Sequence, residues 1–173
     1  RKAIALAGTL VRRVLLPNRS LELLKESFRW ARACAPIQPL TAGIWFPDPR
    51  LNRYLLGESD IITFHNYEGV TSLEGQIARL KRIGRPLLCT EFMARTRGSR
   101  FETHLPVFRR EGVGCYCWGL VAGKTNTIFS WQDRGTQGEP EVWFHDILRP
   151  DGTPYDRDEV DAIRRITGVL VPD

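Results

Sequence analysis

Residues 61–67, IITFHNY, decide how the rest of the chain is read. β-Branched and aromatic side chains dominate the stretch, and these suit the pleated, half-buried surface of a strand. Thr71-Ser72-Leu73-Glu74 follows and has the form of a capping box. In such a box the hydroxyl accepts a backbone N–H while the glutamate reaches back to the cap. The box predicts a helix with Leu73, Ile77 and Leu80 on one stripe, stopping at Gly84. Residues 86–92, PLLCTEF, make the next predicted strand. Ser99-Arg100-Phe101-Glu102 repeats the capping pattern and opens a second helix, with Phe101, Leu105 and Phe108 facing inward and Gly112 closing it. Residues 114–120, GCYCWGL, are again strand-like.

The same alternation extends outward from this core. Towards the start, Ser20 caps a predicted helix running to about residue 34, with Leu21, Leu24, Phe28 and Ala31 on one face. Pro36 and Pro39 end it, residues 40–45 (LTAGIW) form a short strand, and residues 51–56 are a short helical or irregular piece. Towards the end, a long loop rich in Gly, Thr and Trp leads to a last helix near Asp156, with Val160 and Ile163 inward. Strands alternating with helices predict an α/β fold with a parallel sheet. Such folds carry their chemistry at the C-terminal ends of the strands.

Composition narrows the function classes. The 173 residues are 42% hydrophobic and 26% charged, as expected of one globular domain. The longest apolar run near the start, residues 3–11, is far short of the roughly 20 residues a membrane-spanning helix needs. The net charge is +5, but five of the 25 basic residues lie within residues 1–19, which hold no acid. The remainder carries 20 residues of each sign, so no nucleic-acid footprint is expected. Residues 1–19 lack a convincing cleavage site for a targeting segment, and the compartment is left open. Cys34, Cys89, Cys115 and Cys117 contain no C-x-x-C pair and are expected to be free, buried thiols.

Residues 119–125, GLVAGKT, look like a phosphate-binding loop. A Walker loop needs four residues between its glycines, and here there are three, Leu120, Val121 and Ala122. Trp118 stands where the first glycine belongs, and TNTIFSW follows in place of a helix N-terminus. The glycines are read instead as a sharp turn over a strand end.

The predicted strand ends collect Trp45, then His65, Asn66 and Tyr67, then Glu91, then Trp118. Period two places His65 and Tyr67 on one face. Glu91 closes an otherwise apolar run, where an ionised carboxylate is costly without hydrogen bonds, and His65 and Tyr67 are the nearest donors. Aromatic rings beside a carboxylate suit a sugar: pyranose C–H faces stack on indole while hydroxyls bond to polar groups. A glutamate held there can attack an anomeric carbon. Trp45 and Trp118 are equally read as rim or core aromatics, and His65 as a hydrogen-bonded core histidine. Lys124 is read as a solvated loop lysine ahead of a ligand contact. His145 and Asp146 are read as ties between the C-terminal segment and the sheet wall.

Five blocks carry a resemblance: PLTAGIW (39–45), SDIITFHNYEG (59–69), GRPLLCTEFMAR (84–95), CYCWGLVAGKTNTIFSW (115–131) and EVWFHDILRPDGTPYDRDEVDAIRR (141–165). Together they resemble the second half of a retaining glycoside hydrolase with a (β/α)8 barrel, of the clan that holds cellulases, mannanases and β-galactosidases. They are most similar to bacterial proteins labelled cellulase-like or β-xylanase-like. The resemblance covers about residues 20–170 and implies a partial barrel, strands five to eight with their helices. It implies Glu91 as the nucleophile, His65 and Tyr67 as its supports, and Trp45, Asn66, Trp118 and Lys124 as substrate contacts. It further implies a carbohydrate partner, with no cofactor, metal, nucleic acid or membrane.

One departure stands out. In the family, the acid/base glutamate follows an asparagine at the end of strand four. Here the corresponding region is GTLVRRVLLPNRS (8–20), in which Asn18 precedes Arg19. Residues 1–19 are therefore expected to be atypical of the family, through a truncated or misread gene, and residues 20–173 to be the C-terminal half of the barrel. Activity on natural glycosides is expected to be impaired, and exposed barrel edges to invite self-association. A carbohydrate-binding remnant without turnover is the alternative, and a flavodoxin-like domain with helices on both sheet faces is the competing fold.

Overall fold

The computed structural model describes residues 19–133 and 138–168. Residues 1–18, on which the expectation of an atypical N-terminal segment falls, lie outside the described residues. The elements are α1 (Arg19–Ala33), α2 (Pro49–Glu58), β1 (Ile62–Asn66), α3 (Val70–Lys81), β2 (Leu87–Phe92), α4 (Phe101–Glu111), β3 (Gly114–Cys117) and α5 (Arg157–Thr167), with a 3-10 turn at Arg95–Arg97. This is an α/β fold. The three strands form one open parallel sheet in the order β1-β2-β3.

One face of the sheet makes the core. Ile62 and Phe64 of β1 and Cys89 and Phe92 of β2 pack against Leu73, Ile77 and Leu80 of α3 and Phe101, Leu105 and Phe108 of α4. Phe92 is the hub, with Phe101 and Phe108 edge-on at 5.4 and 5.1 Å. Each fully buried phenylalanine contributes about 1.5–3 kcal/mol. The opposite face is open at β3, where Tyr116 is 63% exposed, and covered at Thr63 of β1 by Thr41.

Several predicted boundaries are corrected. Residues 40–45 do not form a strand; they run beside β1 through one parallel bridge, Ile44 to Phe64. Ile44 N donates to Thr63 O and His65 N donates to Ile44 O. The rest of that segment is held through Asp60, whose carboxylate accepts from Leu40 N, and through the Thr41–Thr63 hydroxyl pair. Neither capping box forms. Gly69 caps α3, so Thr71 lies inside the helix and Glu74 pairs with Arg110 of α4. Ser99 is turned inward, where its hydroxyl accepts from Met93 N, and Arg100 takes the cap position of α4. The side-chain caps that do form use aspartate: Asp48 opens α2 and Asp156 opens α5, each accepting two backbone N–H groups. Cys34 is exposed, whereas Cys89 is buried.

His104 of α4 is fully buried, with Nε2–H donating to Glu68 O at 2.9 Å and Nδ1 bonded to the Thr103 hydroxyl at 2.9 Å. Burial lowers its pKa below the usual value of 6.5, and burial lowers that of His65 as well. A depressed pKa means that the unfolded chain binds the proton more readily. The stability these rings confer is present above pH ~6.5 and lost as pH falls from there through the folded-state values. Thermal unfolding is therefore expected at lower temperature at pH 5 than at pH 8, with His104→Gln flattening the decline. An unaltered slope in that variant would contradict the assignment.

Candidate functional site

A β-bulge creates the site. β1 and β2 pair Phe64 with Cys89 but His65 with Glu91, so Thr90 is an extra residue in β2. The other neighbour agrees: Cys89 pairs with Cys115 and Phe92 with Cys117, three steps against two. Were Thr90 an ordinary paired residue, period two would place Glu91 on the helix side together with the buried Cys89. The bulge turns Glu91 onto the open face beside His65 and returns Phe92 to the core.

There the carboxylate meets two donors. Tyr67 Oη–H donates to Glu91 Oε2 at 2.6 Å, and His65 Nδ1 lies 3.2 Å from the same oxygen. Burial, then the bond to Glu91, raises the Tyr67 phenol above its usual pKa, so it stays protonated as a donor. Burial lowers His65 against the opposing pull of Glu91, which favours a neutral ring donating through Nδ1. Both bonds converge on Oε2, leaving Oε1 without a partner among the described residues. The pair is half-buried, with side-chain exposures of 19% for His65 and 24% for Glu91.

Gly43 sets the position of His65. A Cβ at residue 43 would stand 2.9 Å from His65 Nε2. Gly43→Ala is expected to push the ring off Glu91 at a cost of about 1–3 kcal/mol, the range for overpacking. Denaturant unfolding and the His65 ring resonances would read out the two effects. Unshifted resonances would show that the ring accommodates the methyl.

Beyond Glu91 the backbone turns at Met93, fully buried at φ +84°. Met93 N donates to Ser99 Oγ at 3.1 Å, and its carbonyl accepts from His145 Nδ1 at 2.5 Å. His145 also lies against the Tyr67 ring, 5.5 Å between centroids. Asp146 accepts from the Thr127 hydroxyl. His145 and Asp146 thus tie the C-terminal segment to the end of β2. Gly119 serves the same junction. Its φ is +85°, and a Cβ there would stand 2.8 Å from both Asp146 Oδ1 and His145 Cβ. The glycine of GLVAGKT permits this close crossing.

An open cleft of about 1230 Å³ contains Glu91 and is flanked by Trp45, Trp118 and Trp131, which are 66%, 45% and 39% exposed. Trp118 follows β3 directly, its N–H bonded to Phe92 O. Two expected substrate contacts stand differently. Asn66 borders the cleft but is 5% exposed, and its amide is taken up by Gln76 Oε1 at 2.7 Å and Glu68 N at 3.2 Å. Lys124 is exposed on its loop and does not line the cleft. Trp131, Glu68 and Arg79 are lining residues that the strand ends did not reveal. Trp131 stands edge-on to Tyr67 at 5.2 Å, and the Arg97 guanidinium lies 5.6 Å over its ring while pairing with Glu68.

Among the described residues, no group of three or more His, Cys, Asp or Glu side chains is placed to hold a metal ion. No described helix is long and apolar enough to cross a membrane. No family model matches the chain, and no curated protein matches it.

Proposed function

We propose that the sheet is an arc of a (β/α)8 barrel, about strands five to eight, and that Glu91 is the nucleophile of a retaining site for β-linked glycans of the cellulase-like or xylanase-like type. The observation that carries this reading is a half-buried carboxylate with one oxygen held by Tyr67 and His65, the other open, in a cleft edged by three indoles. In-line attack by Oε1 on an anomeric carbon forms the glycosyl ester and releases the leaving group. Tyr67 and His65 keep the carboxylate oriented as its charge is spent. The barrel reading is supported by strand order that follows chain order and, among the described residues, by a core that α3 and α4 form on one face of the sheet. A doubly wound sheet would have helices on both faces.

Retaining hydrolysis also needs a proton donor about 5–5.5 Å from the nucleophile. Arg19, not an acid, follows Asn18. Turnover of natural glycosides is therefore weak on this reading, by about 10²–10⁴-fold for a missing general acid. Activated leaving groups escape that need.

The test is trapping with a 2-fluoro glycoside bearing an activated leaving group, followed by peptide mapping. The label is expected on Glu91. A label elsewhere, or one that persists in Glu91→Gln, would eliminate the assignment. Oligosaccharide binding with neither labelling nor hydrolysis would favour a binding remnant, for which the exposed indoles speak.

A further inference from the structure

The cleft is longer than the corner that holds Glu91. Its other wall is one side of α3, where Thr71, Gly75 and Arg79 recur at every fourth residue, flanked by Ser72 and Gln76. Thr71 and Arg79 are eight residues apart, about 12 Å along the helix, enough for more than one sugar ring. Gln76 fixes this wall to the reactive corner: its Oε1 accepts from Asn66 Nδ2 at 2.7 Å, and its Nε2 donates to His65 O at 3.4 Å.

Two features of the wall leave groups free to meet a ligand. Glycine weakens a helix interior, yet a Cβ at Gly75 would meet nothing within 4 Å, so no neighbour requires its absence. What the glycine leaves is bare backbone between hydroxyls and a guanidinium. Arg79 is the second feature. The two carboxylates of the cleft are engaged, Glu68 with Arg97 and Glu91 with Tyr67 and His65. The neighbouring charges of α3 are paired across to α4, Glu74 with Arg110 and Lys81 with Glu111. Arg79 has no ion pair or hydrogen bond to any described residue.

We infer that the α3 wall of the cleft binds a uronate unit of the glycan, with the Arg79 guanidinium paired to the sugar carboxylate. This rests on the proposed function, since it names the substrate class of the same cleft. A guanidinium presents parallel N–H groups that match the two oxygens of a carboxylate. The Thr71 and Ser72 hydroxyls and the flat stretch at Gly75 accommodate the ring between that contact and the unit on Glu91.

The test is isothermal titration of the full chain carrying Glu91→Gln, at low salt. The probes are a neutral β-1,4-xylo-oligosaccharide, the same oligosaccharide bearing a glucuronic acid substituent, and free glucuronate. The acid-bearing chain is expected to bind about five- to tenfold more tightly than the neutral one. That preference should shrink as salt is raised, because the contact is exposed. Arg79→Gln should remove the preference and Arg79→Glu reverse it. Equal affinity for the two oligosaccharides, or a preference that survives Arg79→Gln, overturns the inference and leaves the glycan reading standing. Free glucuronate binding as tightly as the acid-bearing chain also overturns it, because the anion would then be held without the sugar chain. Binding of no probe overturns both.

Discussion

Glu91→Gln is expected to lower turnover of an activated aryl β-glycoside by about 10⁴-fold or more, the scale on which removal of a covalent nucleophile is felt. The change is chosen so that folding is not at issue. Glutamine keeps the volume of the side chain and an oxygen that accepts from Tyr67 Oη–H, and residue 91 is only half-buried. An aryl leaving group needs little protonation, so the rate compared is that of the first aryl release, which forms the glycosyl ester and bears on Glu91, and not that of the later ester hydrolysis, which draws on a general base. Matched denaturant unfolding of the two proteins separates loss of chemistry from loss of structure. A variant that folds normally and turns over within tenfold of the parent would remove Glu91 from the reaction. A second arm sharpens the result: Glu91→Gly opens space for azide, which should restore release of the aryl group and yield a glycosyl azide of inverted configuration.

Breaking the Arg95–Glu159 pair is expected to produce the largest loss of stability. Both residues are about 95% buried. Arg95 Nε donates to Glu159 Oε1 at 3.0 Å and Nη2 to Oε2, while Nη1 and Nη2 serve the carbonyls of Trp143 and Asp146 at 3.0 and 2.9 Å. The guanidinium also lies 4.8 Å over the Tyr155 ring. Burial raises the Glu159 carboxyl above its usual pKa, and Arg95 opposes the rise. Arg95→Ala strands a buried carboxylate and two carbonyls, a loss of about 3–5 kcal/mol. For a chain of this length that corresponds to roughly 6–20 °C in Tm. Arg95→Met combined with Glu159→Leu should recover most of it, because a well-packed apolar pair often equals a buried ion pair. A single variant that loses less than about 1 kcal/mol would show that water reaches the pair. Since the same guanidinium holds residues 143–146, its removal also slackens the His145 contact on the turn after Glu91.

The parts of this fold that were legible are those decided by local chemistry. β1 and β2 fall within a residue or two of expectation because their β-branched and aromatic side chains have few other uses. The stripes Leu73, Ile77, Leu80 and Phe101, Leu105, Phe108 are all buried as their spacing implies. The helix starts were misread because a cap depends on where a hydroxyl finds its partner, and Ser99 finds Met93 N instead of its own helix. Residues 40–45 were overread because a strand exists only as far as its neighbour's hydrogen bonds extend. In the site, Glu91, Tyr67 and His65 were legible from their place at strand ends. Trp131 and Arg79 were not, since one arrives on a long loop and the other from a helix face that sequence marks only as polar.

The extra residue at Thr90 makes the location of the carboxylate a matter of counting, not of identity. Were Thr90 to pair opposite His65, with no bulge, every functional side chain would be kept and the acid would still be buried among phenylalanines. A change that lets this strand pair regularly should thus cost the chemistry, where substitutions at Thr90 that keep the bulge are tolerated. A one-step slip of pairing register through it exchanges the wet side of the sheet for the dry one.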